Sequence, residues 1–166
     1  MIQHLDYLVE ARGGDHLGQP LLPQPAGGFG YDISDYLAVA PEYGTTADVT
    51  DLIESAHARG LRILFDMVMN HTSDQHPWFL ESRAARQGPR ADWYIWADGS
   101  RHRPPNNWRG TVETRSAWQW CEERGQWYLA SFLPFQPDLN WHNPAVREAM
   151  FGVVRHWLDA GVDGFR

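Results

Sequence analysis

Polar side chains stand where an apolar strand should end. The stretch ILFDMVMNH (residues 63–71) suits a buried β-strand, yet it carries Asp66 in its middle and closes on Asn70 and His71. A second short apolar stretch, VDGFR (residues 162–166), places Arg166 at an equivalent end. A carboxylate buried in a sheet needs a cation or several hydrogen-bond donors, and Arg166 is its candidate partner. Taken alone, Asp66 reads as half of a structural ion pair, and His71 reads either as a satisfied strand-end histidine or as a ligand contact. Pairing across two strand ends favours a functional reading of both, because ligands of parallel α/β folds sit at the C-terminal ends of the strands. His71 and His76 are five residues apart and outside any HExxH pattern. The single cysteine, Cys121, excludes a cysteine metal cage and an intramolecular disulfide. Neither a metal nor a cofactor is expected.

Two helix–glycine–strand units position these groups. In the first, Val49, Leu52, Ile53 and Ala56 fall on one face of a helix predicted over Ala47–Arg59. Thr45 and Asp48 form a capping box before it, and Gly60 supplies a left-handed residue after it. A strand over Ile63–Met67 follows. In the second unit Asn143 caps, Pro144 takes the first helical position, Val146, Met150, Val153 and Trp157 line one face, and Gly161 stops the helix. Such units build parallel sheets covered on both faces. The first eleven residues resemble a third copy, with Ile2, Leu5, Leu8 and Val9 as its apolar face. Its strand should follow Gly13 and Gly14, but DHLGQPLLPQP has three prolines and no β-branched residue, which argues against a central strand. Between the two good units, residues 72–142 are rich in Trp, Pro, Asn and Gly. PPNNW (104–108) reads as a turn and GQWYLASF (125–132) as a strand of a small sheet. So long a connection has a purpose in a compact domain, and it reads as a subdomain inserted after a strand.

Composition sets the bounds. The 166 residues suit one domain, and 43% hydrophobic residues suffice for a packed core. A formal net charge of −7 argues against nucleic acid as a partner. The apolar runs are too short for a bilayer, so no membrane partner is expected. The start, MIQHLDYLVEARGG, lacks the basic and apolar regions of a secretion signal, which makes a cytoplasmic location the default. Aromatic residues reach 13%, including nine Trp, and most should be core, the remainder offering flat faces for sugar rings.

The motifs taken together carry a resemblance. DMVMNH (66–71) resembles the first signature of the α-amylase superfamily of glycoside hydrolases, and GVDGFR (161–166) the beginning of the signature bearing its nucleophile. GYDISDY (30–36) is similar to the segment with a sugar-stacking tyrosine. QPDLN (136–140), NHTSDQHPWF (70–79) and PPNNW resemble the α-glucosidase and oligo-1,6-glucosidase branch. The four signatures stand in order from about Phe29 to Arg166. The resemblance implies an α/β fold, a partial (β/α)8 TIM barrel of about strands 2–4 with a small α+β subdomain after strand 3. Residues 1–71 would be the first part of the catalytic barrel, 72–142 the inserted subdomain, and 143–166 the third barrel helix and the start of strand 4. Tyr31 would stack on a glucose ring, His71 would hydrogen-bond a hydroxyl of that sugar, Arg166 would orient the nucleophilic carboxylate, and Asp66 would brace the arginine. Asp138 is expected to organise a loop, and Asp32 and Asp35 to anchor turns. Implied partners are small α-glucosides: maltose, isomaltose and short oligosaccharides.

The sequence also departs from that family. Its nucleophile is an aspartate two residues beyond the arginine, and its acid/base glutamate lies later still. These 166 residues hold no catalytic residue, and the expectation is a fragment inactive alone. A non-catalytic sugar-binding remnant, an interaction piece with open sheet edges, and a trehalose-synthase-like or sucrose-isomerase-like transglycosylase parent are the alternatives. RGTVETRSAW (109–118) lacks the Phe-Gly-Gly turn of the branch, and Gly28 stands where many relatives have a sugar-contacting aspartate. Residues 12–25 are aberrant. A family-like peptide, IWVSPFFPSP, written in GC-rich codons and read one base early, gives HLGQPLLPQP, the sequence of residues 16–25. The coding DNA is therefore expected to hold compensating frame changes on either side of this stretch. Sequencing it checks this: a shifted frame that yields no strand-like peptide refutes the idea.

Overall fold

The computed structural model describes residues 2–10, 15–17, 22–25, 30–112 and 114–166. A 3-10 turn (Ile2–His4) leads into α1 (Leu5–Glu10), followed by β1 (Asp15–Leu17), α2 (Thr46–His57) and β2 (Arg62–Phe65). Next come α3 (Pro77–Ala84) and the short strands β3 (Trp96–Ala97), β4 (Trp118–Cys121) and β5 (Gln126–Leu129). The long α4 (Pro144–Asp159) and β6 (Gly164–Phe165) complete the order. Two sheets result: a parallel one, β1-β2-β6, and an antiparallel one, β3-β5-β4.

Local chemistry sets the two long helices. Thr45 accepts from the Asp48 amide while Asp48 accepts from the Thr45 amide, so α2 starts on a reciprocal cap. Asn143 accepts from the Ala145 amide at the head of α4, with Pro144 in the first turn. Gly60 (φ 72°) and Gly161 (φ 98°) turn the chain from each helix into its strand through left-handed backbone. The expected apolar faces are buried: Val49, Leu52, Ile53 and Ala56 on α2, and Val146, Met150, Val153 and Trp157 on α4. They pack with Ile63 and Phe65 of β2 in one core. Trp157 is fully buried, its ring 5.2 Å from that of Phe65, and its indole N–H donates to the Tyr36 carbonyl at 2.8 Å.

Several expectations need correction. β2 ends at Phe65, so Asp66 is the first residue past the strand rather than its middle. The ladder continues one bond beyond, since the Arg166 amide donates to Phe65 and the Met67 amide to the Arg166 carbonyl, both at 2.9 Å. A strand does form after the first helix, but it is three residues long and stands at the edge of the sheet among the described residues, not at its centre. Leu5 is buried in α1, whereas Ile2 and Val9 are exposed, because Ile2 belongs to the 3-10 turn and the four-residue face is not continuous. The side chain of Leu8, residues 12–14 and 18–21, and Gly28 lie outside the described residues.

Residues 72–142 carry more order than their pattern promised. PPNNW is a bend and Gln126–Leu129 a strand, as expected, but α3 is new. His76 caps it, its Nδ1 accepting from the Trp78 amide at 3.1 Å, and only Phe79 and Ser82 are buried, too few for a helical periodicity. A second cluster of Ala117, Trp118, Trp127 and Leu129 forms its own small core. The buried Arg124 fastens the sheet to α3: its guanidinium donates to the carbonyls of Ser82 and Ala85 and lies 4.2 Å over the Trp96 ring. The segment closes on itself at both ends. His71 bridges Asp138, and the Leu139 amide donates to the Asn70 carbonyl at 2.9 Å.

Trp157→Ala should cost about 3–5 kcal/mol, since it empties a full ring volume and orphans the Tyr36 carbonyl. Urea unfolding followed by circular dichroism measures it.

Candidate functional site

The parallel sheet brings Asp66 and Arg166 together at the C-terminal ends of β2 and β6. The Arg166 guanidinium donates to Asp66 Oδ2 at 2.8 Å, with Asp66 8% exposed and the arginine side chain largely open. The same oxygen accepts from the Tyr31 hydroxyl at 3.0 Å. The answer to a carboxylate at an apolar strand end is thus two donors from two distant segments.

Tyr31 joins this pair to His71. Its backbone carbonyl faces His71 Nε2 at 3.0 Å and accepts from the Gln136 side-chain amide at 3.1 Å. A carbonyl only accepts, so the contact assigns the proton to Nε2 and leaves Nδ1 as acceptor, 3.4 Å from the Asn70 amide nitrogen. His71 is 4% exposed, and burial holds its pKa below the ordinary histidine range. Burial thus favours the neutral imidazole. Tyr31 and His71 both line a cleft of about 470 Å³, which Asp66 and Arg166 do not line. Of the described aromatic residues only Tyr7, Tyr31, Tyr43, Trp108, Phe132 and Phe151 are markedly exposed, and two of them, Tyr31 and Phe132, share this cleft.

Other groups hold the frame. Asp138 is buried and accepts from the Ser131 amide at 3.1 Å, the Ser131 hydroxyl and the Asn70 side chain at 3.0 Å, so it ties Ser131 to the segment after β2. Burial raises its pKa against those bonds. Asp35 accepts from the Leu37 amide at 2.8 Å in an exposed turn. Asp32 differs: it is 3% exposed and its Oδ1 has no hydrogen-bond partner. Burial pushes its pKa up to about 6, the Ser73 hydrogen bond opposing and Asp74 adding to the rise.

Comparison with known proteins gives the family. The family model of the alpha-amylase catalytic domain matches residues 1–166. The chain belongs to that family. It is 53% identical over 148 residues to a probable alpha-glucosidase of Rhizobium meliloti (strain 1021), covering 89% of this chain and 27% of that protein. It is 46% identical over 166 residues to an oligo-1,6-glucosidase of Parageobacillus thermoglucosidasius, covering 100% of this chain and 29% of the relative. A crystal structure of an alpha-glucosyl transfer enzyme superposes with a TM-score of 0.95 at 49% identity, over 99% of this chain and 31% of that one. This alpha-amylase family chain thus spans about 30% of the length of the relatives it matches.

Sequence reasoning missed Tyr36, Gln136 and Trp141 as supports of the site. The Tyr36 hydroxyl sits 2.9 and 2.8 Å from the carbonyls of Val68 and His71, and the Trp141 indole donates to the Met69 carbonyl at 2.9 Å. Tyr36 and Trp141 hold the irregular backbone after β2, where no strand partner satisfies those carbonyls, and Gln136 holds the Tyr31 carbonyl. Tyr36 and Gln136 lie within the motifs GYDISDY and QPDLN, which was the available signal.

The raised pKa of Asp32 gives a test. Its folded pKa lies above the unfolded value, so its contribution is present below about pH 4 and lost as pH rises through about 6. The stability of Asp32→Asn relative to the unsubstituted chain should therefore rise by roughly 1–3 kcal/mol between pH 4 and pH 7. Denaturant titrations at the two pH values check the sign.

Proposed function

We propose that the chain is part of a retaining α-glucoside hydrolase of the α-glucosidase and oligo-1,6-glucosidase type, contributing the glucose-positioning side of its site. The observation that carries this reading is the single tyrosine whose hydroxyl meets Asp66 and whose carbonyl meets His71, with Arg166 on the same carboxylate oxygen. Tyr31 offers an aromatic face to the C–H side of a pyranose. His71 would reach a hydroxyl of that sugar once the ring turns from its carbonyl partner, or through a bridging water. Arg166 orients the nucleophilic carboxylate by its planar fork, and Asp66 braces the arginine. In this reading the sheet β1-β2-β6 corresponds to about strands 2–4 of a TIM barrel, residues 72–142 to the subdomain after the third, and residues 143–166 to the third helix and the next strand.

Retaining hydrolysis needs a nucleophile and an acid/base about 5–5.5 Å apart. No such carboxylate pair is assigned within these 166 residues, so they position sugar without cleaving it. Substrates are small α-glucosides such as maltose, isomaltose and short oligosaccharides. A second reading, in which the parent transfers the glucosyl group instead of releasing it to water, is favoured by the likeness to an alpha-glucosyl transfer enzyme.

The purified chain is expected to hydrolyse p-nitrophenyl α-glucoside no faster than a heat-inactivated control. It should bind methyl α-glucoside in ligand-observed NMR, and Tyr31→Ala should weaken that binding about tenfold by removing the ring platform. Hydrolysis well above the control contradicts the first statement, and undiminished binding by the variant contradicts the second.

A further inference from the structure

The strands β2 and β6 are tied at their other end as well. Asp163 stands just before β6, and its Oδ2 accepts from the Ile63 amide at 2.8 Å and faces His57 Nε2, also at 2.8 Å. Burial pushes the pKa of Asp163 up, but the Ile63 amide and His57 outweigh it and hold the carboxyl below its ordinary range. An ionised carboxylate only accepts, so His57 Nε2 carries the proton and donates. The backbone of Asp163 completes the contact, its amide donating to the Ile63 carbonyl at 3.0 Å. In a parallel ladder the N–H and C=O of one residue point to the same neighbouring strand. Asp163 therefore satisfies both groups of Ile63, one with its backbone and one with its side chain. A backbone carbonyl two residues earlier would ordinarily take that amide, but the chain is turning there at Gly161 (φ 98°), and the carboxylate stands in for it. His57 is the last residue of α2, so one oxygen joins a helix end, a strand start and the entry to β6.

We infer that Asp163 is a positioning residue that sets Arg166 opposite Asp66, with His57 holding the Asp163 carboxylate in place. Its bearing on the reaction rests on the proposed role of Arg166 in orienting the nucleophile; its own support is strand register. Ile63 and Asp163 are 100 residues apart, as are Asp66 and Arg166, and Leu64 faces Gly164 between them. The two contacts thus share one register, at the two ends of a strand only two residues long. A slip of one residue would carry Arg166 about 3.3 Å along the sheet and turn its side chain to the opposite face, which breaks the pair with Asp66. Backbone bonds alone do not choose between registers, because every residue of a ladder offers the same two groups. Gly164 gives room but no grip, since a Cβ there would lie 3.0 Å from the Leu64 side chain. Asp163 supplies the side-chain bond that ties the entry of β6 to the backbone of β2.

The test is NMR of the 166-residue chain with two readouts. One is hydrogen exchange at the Arg166 and Met67 amides, with amides of α4 as the reference for global stability. The other is the guanidinium nitrogen shift of Arg166, assigned by its loss in Arg166→Lys. In Asp163→Ala, protection of the two amides should fall about tenfold relative to α4, and the guanidinium shift should move to that of a free arginine. Asp163→Asn keeps an oxygen for the Ile63 amide and should hold protection within about twofold of the unsubstituted chain and leave the shift in place. His57→Ala removes a side chain 40% exposed, should fold, and should lose about threefold; it carries the test if Asp163→Ala does not fold. An unchanged Arg166 in Asp163→Ala leaves the register to Gly164 and the backbone ladder and refutes the assignment. A loss spread evenly over α4 and Arg166 makes Asp163 a general stabiliser and refutes it too, as does Asp163→Asn behaving like Asp163→Ala. The glucose reading fails separately: no binding of methyl α-glucoside by the unsubstituted chain overturns that reading and leaves the response of Arg166 to Asp163→Ala as it is.

Discussion

The site depends on one carboxylate oxygen that accepts two donors at once. Asp66 Oδ2 takes the Tyr31 hydroxyl at 3.0 Å and the Arg166 guanidinium at 2.8 Å. A nearly buried carboxylate at the end of an apolar strand is costly without such partners, and losing either leaves the oxygen short of a donor. The constraint therefore works outward. It fixes where β6 must end relative to β2, and it pulls the segment carrying Tyr31 across the sheet rim. The tyrosine carbonyl then stands where His71 and Gln136 can both reach it.

Residues 72–142 extend that arrangement instead of hanging from it. Their two ends lie against each other through the His71–Asp138 bridge, so a long excursion closes at a single point of the rim. Asp138 is the hinge post of this closure, holding Asn70 on one side and Ser131 on the other. The same serine accepts from Thr111, next to Val112 of the cleft. Polar bonds thereby place apolar surface, a division of labour expected where a binding site must be open yet ordered.

Two buried aspartates show how environment separates similar residues. Asp66 has two donors on one oxygen, while Asp32, equally enclosed, keeps an oxygen without a partner. The first is the acceptor on which Tyr31 and Arg166 meet. The second lies between Tyr31 and Ile33 and contributes less to stability as pH rises through about 6, because burial outweighs its hydrogen bond with Ser73. Position next to a motif does not decide between these outcomes. Partner geometry does.

The local features were legible in the residues. The capping box at Thr45, the Asn143–Pro144 start, the glycine stops at 60 and 161 and the two buried helix faces each depend on neighbours within a few positions, and the motifs named the family. The Asp66–Arg166 pair could be read as well, since two strand ends of one parallel sheet leave few other partners. What only the tertiary structure decided involves segments far apart in sequence. Tyr31 meets Gln136 across 105 residues, His76 begins a helix whose apolar face is too narrow to show, and β2 stops one residue short of Asp66. Val112 lines the cleft beside Thr111, which finds the Ser131 carbonyl across 20 residues. Spacing along the chain encodes caps and faces, whereas contacts between loops depend on how the whole segment closes, and that is settled by packing rather than by periodicity.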